Sequence, residues 1–288
     1  MSQNPLHATP VLAPERLDAY LDRLGLPGRG APTLETLDAI IAAQLRQIPF
    51  ENVDPLLGLP VPIEPDAVFD KLVVRRRGGY CFEQNTLLAA ALAALGFDVA
   101  PLAARVRWGL DESTPSPQSH LLLHVRVAHR DYIADAGFGG PTPPGALPLS
   151  EPVAEGMRYR LAAAPLSAVS SGSMHLFDLE CEGDGGWFKL YRFDLSPQQW
   201  IDYQARNWYV STHPQSIFTG NLLVARTDGS TRLTMRNNEL TEREPDGTVR
   251  NRRLETPQAV VEVLRERFGL ALDAATDEAL ARRLQGLM

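Results

Sequence analysis

The stretch VVRRRGGYCFEQN, Val73 to Asn85, decides how the first third of the chain folds, because a Gly-Gly turn in it leads directly into an apolar run. Cys81 follows the turn, and the alanine- and leucine-rich segment after it can end at Gly96. We predict a helix from Cys81 to about Leu95. The free N–H groups of its first turn stabilise an anion, so the pattern favours a reactive thiolate over a small buried packing residue.

Three further helices are predicted before this one. Pro14 can begin the first, Thr33 can cap the second, and Pro65 can begin the third. Apolar residues recur at helical spacing in each segment. The fourth helix, which Cys81 begins, carries an apolar stripe. Its members are Leu88, Ala91, Leu92 and Leu95. The first third of the chain therefore reads as a helical bundle.

The hydrophobic period changes to two after Gly96, which predicts strands. Three hairpins are expected: Ser119–Gly139 with a turn near His129, a pair of strands around Gly183–Gly186, and a pair around Asp228-Gly229. Two helices close the chain, the first capped by Thr256-Pro257.

These patterns predict a multidomain α+β protein. A helical bundle, residues 1–96, carries Cys81; a β-rich barrel-like domain follows at 97–207; an α/β lid occupies 208–288. A chain of 31.7 kDa is large enough for two or three compact units.

Composition excludes several classes of partner. The formal charge of −7 and pI near 5.4 argue against general binding to nucleic acid or to anionic membranes. The longest apolar run, Thr86 to Phe97, is too short to span a bilayer, and the amino terminus lacks the pattern of a secretory signal. The two cysteines, Cys81 and Cys181, have unlike surroundings, so no disulfide is expected and a cytoplasmic location is predicted. Cys181 is predicted to be core.

A thiolate nucleophile needs an imidazole, which in turn needs a carboxylate. Of the six histidines, four have no acidic partner that the sequence can defend: His7, His129, His175 and His213. His120 and His124 lie on one face of a predicted strand, and Asp135 lies on the returning strand. An even hairpin loop would put Asp135 on the face of both histidines, so the pattern alone does not choose between them.

Together the motifs resemble those of the arylamine N-acetyltransferases. The resemblance rests on IPFENVD at Ile48–Asp54, RRGGYCFEQN ending at Asn85, His120, DAGFG at Asp135–Gly139, and NWYVSTHPQSIF at Asn207–Phe218. It implies a helical bundle, a β-barrel-like domain and an α/β lid around a papain-like Cys81–His120–Asp135 triad. It also selects His120 as the catalytic imidazole. Cys81 would take an acetyl group from acetyl-CoA as a thioester, and an arylamine or hydrazine nitrogen would then attack it in a ping-pong cycle.

Other roles are implied by the same resemblance. Phe138, Gly139 and Phe218 would contact the aromatic acceptor, and Gly139 with Ser216 would approach coenzyme A. Arg77 and Glu51 would brace the loop before the nucleophile. No permanently bound cofactor or metal is implied, and the protein would be a monomer or homodimer. The loop DESTPSPQS before His120 departs from vertebrate members, so coenzyme contacts made there cannot be transferred.

Three alternatives stay open at this level. A related amide synthase uses the same triad to close macrolactams from a carrier-bound polyketide. A cysteine hydrolase could also use these three residues. In a non-catalytic binding protein they would be structural; a zinc site is disfavoured, because the cluster holds one cysteine and no ligand-spaced pair on a helix.

Overall fold

The computed structural model describes residues 9–150, 158–164, 176–183, 185–196, 198–228 and 231–288 of the 288-residue chain. His7, His175 and Gly229, which the sequence analysis considered, lie outside these residues. The helices are α1 Pro14–Leu24, α2 Leu34–Gln47, α3 Val53–Leu56, α4 Pro65–Phe69, α5 Cys81–Ala94, α6 Asp202–Thr212, α7 Ile217–Gly220, α8 Pro257–Glu266 and α9 Ala274–Leu284. The strands are β1 Phe50–Glu51, β2 Asp98–Val106, β3 Gln118–Val127, β4 Arg130–Ala134, β5 Leu147–Pro148, β6 Tyr159–Ala163, β7 Phe177–Gly183, β8 Gly186–Phe193, β9 Leu223–Asp228, β10 Thr231–Arg236, β11 Glu239–Arg243 and β12 Val249–Arg253.

The predicted helix boundaries are confirmed, and local capping explains them. Gly25 ends α1 in the left-handed conformation, and the Thr33 hydroxyl accepts the Thr36 N–H at the start of α2. Thr256 caps α8 in the same way through the Ala259 N–H. The helix from Pro65 does not stay regular, because α4 continues as a π-helical stretch, Asp70–Val74.

Seven antiparallel strands form a nearly closed, barrel-like sheet in the order β5-β4-β3-β2-β8-β7-β6. Its core contains apolar side chains from alternate positions of these strands, among them Leu122, Ile133 and Leu179. The other face of β3, with Leu121 and Leu123, packs into the helical core. Strand β3 therefore joins the helices to the barrel, and His120 lies at its beginning.

A second sheet has the order β1-β9-β10-β11-β12. The short strand β1 comes from the helical part of the chain and pairs with β9, with Phe50 opposite Ala225 and Glu51 opposite Val224. Helices α8 and α9 cover this sheet through a separate apolar core that includes Leu233, Leu264 and Leu280. The carboxy-terminal sheet is thus hydrogen bonded to the segment that leads toward Cys81.

Several features differ from the sequence predictions. Helix α6, Asp202–Thr212, was not predicted, and the predicted domain boundary after residue 207 falls inside it. The exposed hairpin β11–β12 was missed because its second strand, Val249–Arg253, has no buried face to impose an alternating pattern. Helix α5 was predicted to have one apolar stripe, but it is buried on all sides from Cys81 to Leu92. The three-part division itself stays a prediction.

Among the residues described, no helix is both long and apolar enough to cross a bilayer.

Candidate active site

The hairpin β3–β4 brings His120 and Asp135 together. Its turn is formed by Ala128 and His129, both with positive φ, and the register pairs Val127 with Arg130. A two-residue loop is even, so Asp135 and His120 share a face, as the sequence analysis required. His120 Nε2 lies 2.7 Å from Asp135 Oδ2, and both side chains are almost completely buried.

Cys81 begins helix α5 beside this pair. Its thiol is close enough to the His120 ring to help raise the pKa of that ring, and its sulfur lies 3.8 Å from the Ser119 carbonyl oxygen. Because Nε2 of His120 faces Asp135, the other ring nitrogen, Nδ1, is the one available to the thiol. A Cβ added to Gly137 would lie 2.8 Å from the Cys81 Cα, so only glycine permits the chain after Asp135 to pass this close to the cysteine.

At both His120 and Asp135, charged and hydrogen-bonding partners shift the pKa more than burial does. Burial alone would lower the pKa of His120, but the Asp135 carboxylate, the hydrogen bond to it and the neighbouring Cys81 thiol raise it to about 10. Burial would raise the pKa of Asp135, but His120 and hydrogen bonds from Asn85 and Gly137 lower it below the ordinary value. The arrangement therefore favours an imidazolium hydrogen bonded to a carboxylate at neutral pH.

Asn85 orients the carboxylate and was not singled out from the sequence. Its Nδ2 donates to Asp135 Oδ1 at 2.9 Å and to the Leu121 carbonyl at 2.7 Å, while its Oδ1 accepts the Ala136 N–H at 3.0 Å. Asn85 lies four residues after Cys81, one turn along the same helix. A polar residue at this spacing in an apolar helix was the available signal.

The loop before Cys81 is held by buried polar groups. Gln84 Nε2 donates to the carbonyls of Ile48, Pro49 and Gly79. A Cβ at Gly78 would lie 2.2 Å from the Pro49 carbonyl oxygen, so the two segments can approach only at a glycine. These contacts join the loop to β1.

The predicted Glu51–Arg77 pair is present and belongs to a larger buried network. Arg77 Nη2 lies 2.7 Å from Glu51 Oε1 and 3.0 Å from Asp54 Oδ1. Lys71 Nζ bridges Asp54 and Glu83, each at 2.6 Å, and Glu83 also accepts the Tyr80 N–H at 3.0 Å. Burial and the neighbouring carboxylates, opposed by Lys71, raise the pKa of Glu83 to about 7. The sequence analysis missed Lys71, Asp54 and Glu83.

Cys81 and His120 open into a cleft of about 620 Å³ between the barrel-like sheet and the five-stranded sheet. The predicted substrate residues Phe138, Gly139 and Phe218 line it. The Phe138 ring lies 5.3 Å from the His120 ring, edge to face, and 6.0 Å from Trp108. An apolar cleft with aromatic walls suits a flat aromatic ligand next to the thiol.

The remaining histidine and cysteine candidates lie elsewhere. His124 is on the same strand, but it pairs with Asp131 at 2.8 Å in a partly exposed site. Cys181 is buried in the barrel core with Leu179, as predicted, and burial raises the pKa of its thiol.

A family profile described as N-acetyltransferase matches residues 33–277. Arylamine N-acetyltransferase from Mycolicibacterium smegmatis is 40% identical over 271 residues, which cover 92% of this chain and 96% of the relative. The crystal structure of Nocardia farcinica arylamine N-acetyltransferase matches with a TM-score of 0.88 at 34% identity, covering 99% of this chain and 100% of that chain.

The chain belongs to the arylamine N-acetyltransferase family. It is therefore an acyltransferase, and the resemblance drawn from its motifs is confirmed. A further structural neighbour is the Mycobacterium marinum arylamine N-acetyltransferase in complex with CoA, with a TM-score of 0.85 at 34% identity, covering 94% of this chain and 98% of that chain.

One residue carried over from the arylamine N-acetyltransferases does not reach the cleft. Ser216 precedes the lining residue Ile217, and its hydroxyl donates to the Val210 carbonyl and accepts the Phe218 N–H at 3.3 Å. Its side chain therefore caps α7, a structural role that the sequence analysis did not assign to it.

Within the described part of the chain, no group of three or more His, Cys, Asp or Glu side chains is placed to hold a metal ion.

Proposed function

We propose that this protein transfers an acetyl group from acetyl-CoA to the nitrogen of arylamines, arylhydrazines or similar acceptors, through a thioester on Cys81. The observation that carries the proposal is the contact between Cys81, at the start of α5, and the buried His120–Asp135 pair at the floor of an aromatic cleft. Membership in the family supports acetyl transfer as the reaction.

In the first half-reaction the Cys81 thiolate attacks the carbonyl carbon of acetyl-CoA. The bond from that carbon to the coenzyme sulfur breaks, and the leaving thiolate takes the proton held by His120 Nδ1. Asp135 keeps Nε2 occupied, so the ring presents Nδ1 in a fixed orientation. The products are acetyl-Cys81 and free coenzyme A, and exchanging one thioester for another requires little driving force.

In the second half-reaction the acceptor nitrogen attacks acetyl-Cys81. The now neutral His120 takes the proton that the amine loses, the carbon–sulfur bond breaks, and the thiolate–imidazolium pair is restored. Water competes with the amine at this stage. The apolar walls of the cleft, which include Phe138 beside His120 and also Phe218, disfavour bound water and favour a flat aromatic acceptor.

The remaining residues would support these steps. Glu51 and Arg77 hold the loop that places Cys81. Gly139 lets the Phe50 ring pack against the backbone, because a Cβ there would lie 2.6 Å from that ring, and so it shapes the cleft wall along which the pantetheine arm of the donor would lie. For Ser216, capping of α7 supports only an indirect part in donor binding. No permanently bound cofactor has a role in this cycle.

The proposal can be tested by intact-mass spectrometry of the protein mixed with acetyl-CoA alone. We expect one acetyl group to be added and to disappear when an arylamine follows. The variant Cys81→Ala should not be labelled. Cys181→Ala is the matched control, since it removes the only other thiol, and it should be labelled as the unaltered protein is.

Other outcomes would assign the same three residues to different chemistry. Loss of the acetyl group to water at a rate that the amine does not change would favour a cysteine hydrolase. Labelling by a longer carrier-bound thioester, without labelling by acetyl-CoA, would favour a macrolactam-forming amide synthase. No labelling by any thioester would reject catalysis through Cys81.

A further inference from the structure

A second cavity, of about 410 Å³, lies beside the Cys81 cleft and contains four arginine side chains. We call it the arginine cavity; its basic residues are Arg46, Arg158, Arg232 and Arg243. Arg232 and Arg243 also line the Cys81 cleft, so the two cavities share a wall formed by strands β10 and β11.

Placing the two shared arginines next to each other is unfavourable in free energy. Arg232 on β10 and Arg243 on β11 are direct partners across the antiparallel ladder. Like charges at such positions repel each other. Arg232 is half-buried, and its buried Nη1 has no hydrogen-bond partner. Repulsion by Arg243 and Arg158 adds to burial in lowering the pKa of Arg232.

The described acidic residues do not neutralise this cluster. None of the four arginines forms an ion pair with a described carboxylate, whereas Arg77 and Arg192, for example, do. Two of the described acids line the cavity, Glu182 and Glu244, and Glu244 already binds Arg250 at 2.9 Å and the Thr231 hydroxyl. Among the described lining residues, four cations against two acids leave a formal excess of two positive charges.

The excess positive charge indicates which class of ligand the cavity can bind. One carboxylate would neutralise half of it, whereas a phosphate monoester or a pyrophosphate carries about two negative charges and offers several acceptor oxygens to guanidinium donors. The thiol of Cys181 and the hydroxyl of Tyr159, which also line the cavity, have pKa values raised by burial and add no competing negative charge at neutral pH.

We propose that the arginine cavity is a phosphate-binding site in which Arg232 is the central residue, with Arg243 and Arg158 beside it. Because Arg232 and Arg243 also face the Cys81 cleft, the phosphate groups of coenzyme A can reach the site while the thioester lies at Cys81. This identification of the phosphate source rests on the proposed function; the site itself does not.

The test compares Arg232→Gln with Arg252→Gln, which removes the same charge from exposed residue 252 on the neighbouring strand β12. Acylation is measured with acetyl-CoA and with acetyl-pantetheine, which lacks the nucleotide phosphates. We expect the ratio of kcat/KM for acetyl-CoA to that for acetyl-pantetheine to fall about tenfold or more in Arg232→Gln and to stay constant in Arg252→Gln. Arg232→Lys, which keeps the charge, should retain part of the preference.

A second measurement separates the site from its ligand's source. Inorganic pyrophosphate should bind the unaltered protein in calorimetry, and Arg232→Gln should weaken that binding about tenfold. Loss in both measurements identifies the coenzyme phosphates as the ligand. Loss of pyrophosphate binding alone supports a site for a free phosphorylated ligand. If neither quantity changes in Arg232→Gln while its circular dichroism and melting match the unaltered protein, the proposal is wrong. If acetyl-CoA never labels Cys81, the proposed function fails, but the pyrophosphate result still decides the site.

Discussion

Cys81 and Cys181 are exposed to similar degrees, 4% and 5%, yet their surroundings differ completely. Cys81 begins a helix and contacts His120, which is hydrogen bonded to Asp135. Cys181 lies within a strand of the barrel-like sheet, where its thiol donates to the carbonyl of the next residue. Exposure therefore does not distinguish the two thiols. Cys181 has Arg158 and Arg232 nearby, but burial outweighs them and raises the pKa of its thiol, whereas Cys81 lies beside an imidazole that is hydrogen bonded to a carboxylate.

The same contrast applies to the two lysines of the chain. Lys71, in the π-helical stretch before Cys81, lies in a buried network with Asp54 and Glu83. Lys189, on strand β8 of the barrel-like sheet, is partly exposed and binds Glu112 and Asp178. Lys71 therefore belongs to a network buried on all sides, whereas Lys189 reaches solvent and shares its buried partner Asp178 with Arg192. Four predictions test this contrast.

The largest effect is expected from His120→Gln. Removing the His120 ring takes away both the proton acceptor and the positive charge beside the sulfur, so kcat/KM for acetyl transfer should fall by a factor of about 10⁴. His124→Gln is the matched control, because His124 lies on the same strand and has its own carboxylate partner, Asp131. In steady-state kinetics, kcat/KM of His124→Gln should stay within about twofold of the value for the unaltered protein. A comparable loss in both variants would contradict the assignment.

For Asp135→Asn we expect kcat/KM for acetyl transfer to fall about 10²-fold and the pKa of His120 to change. The ring signals of His120 in NMR should not move between pH 5.5 and 8.5, because Asp135 holds the pKa of the ring near 10. Without that carboxylate, burial dominates and the pKa should fall below the ordinary value of 6.5. The imidazolium stabilises the native fold fully below pH 6.5, and this contribution is lost as the pH rises through about 10.

That result would be contradicted by ring signals of His120 that titrate near pH 6.5 in the unaltered protein.

The third prediction concerns folding. Lys71→Met leaves Glu51, Asp54 and Glu83 buried with Arg77 as the remaining cation, so the free energy of unfolding should fall by about 3 kcal/mol or more. Lys189→Met should change it by about 1 kcal/mol at most, because Asp178 and Glu112 keep Arg192 as a partner. Chemical denaturation of both variants measures the difference. Equal losses would remove the contrast between the two regions.

Sequence patterns predicted most of the elements because their causes are local. The caps at Thr33 and Thr256 and the glycines that end α1 and α5 are signals within a few residues of the boundary. Helix α6 was missed because its mean polarity is high and only a few of its residues are buried, including Tyr203 and Asn207. Strand β1 has only two residues, and its partner β9 lies about 170 positions away, so no local pattern could indicate it.

The site residues divide in the same way: those with a local signal were predicted, and those that depend on tertiary contacts were not. Cys81 was found from its turn and helix start, and Asp135 from an acid in an apolar run. The choice of His120 over His124 depended on the family resemblance, because the two histidines share a strand face. Only the tertiary fold separates them: His120 lies where β3 meets the helices, whereas His124 pairs with Asp131. The partners Asn85 and Lys71 are ordinary polar residues until the tertiary fold buries them against charge. Nonlocal burial, which a sequence pattern does not record, accounts for what was missed.

The smallest effect, about tenfold, is expected for the relative rates at which the two thiols react with iodoacetamide at pH 7. Cys81 should be alkylated at least about ten times faster than Cys181, because His120 and the first turn of α5 stabilise negative charge on the sulfur. At Cys181, burial outweighs the attraction of Arg158 and Arg232 and raises the pKa of the thiol. Peptide mass spectrometry measures both rates in one sample. His120→Gln should slow alkylation of Cys81 without changing Cys181. Equal rates in the unaltered protein would mean that burial, which the two thiols share, controls reactivity more than the partners that separate them.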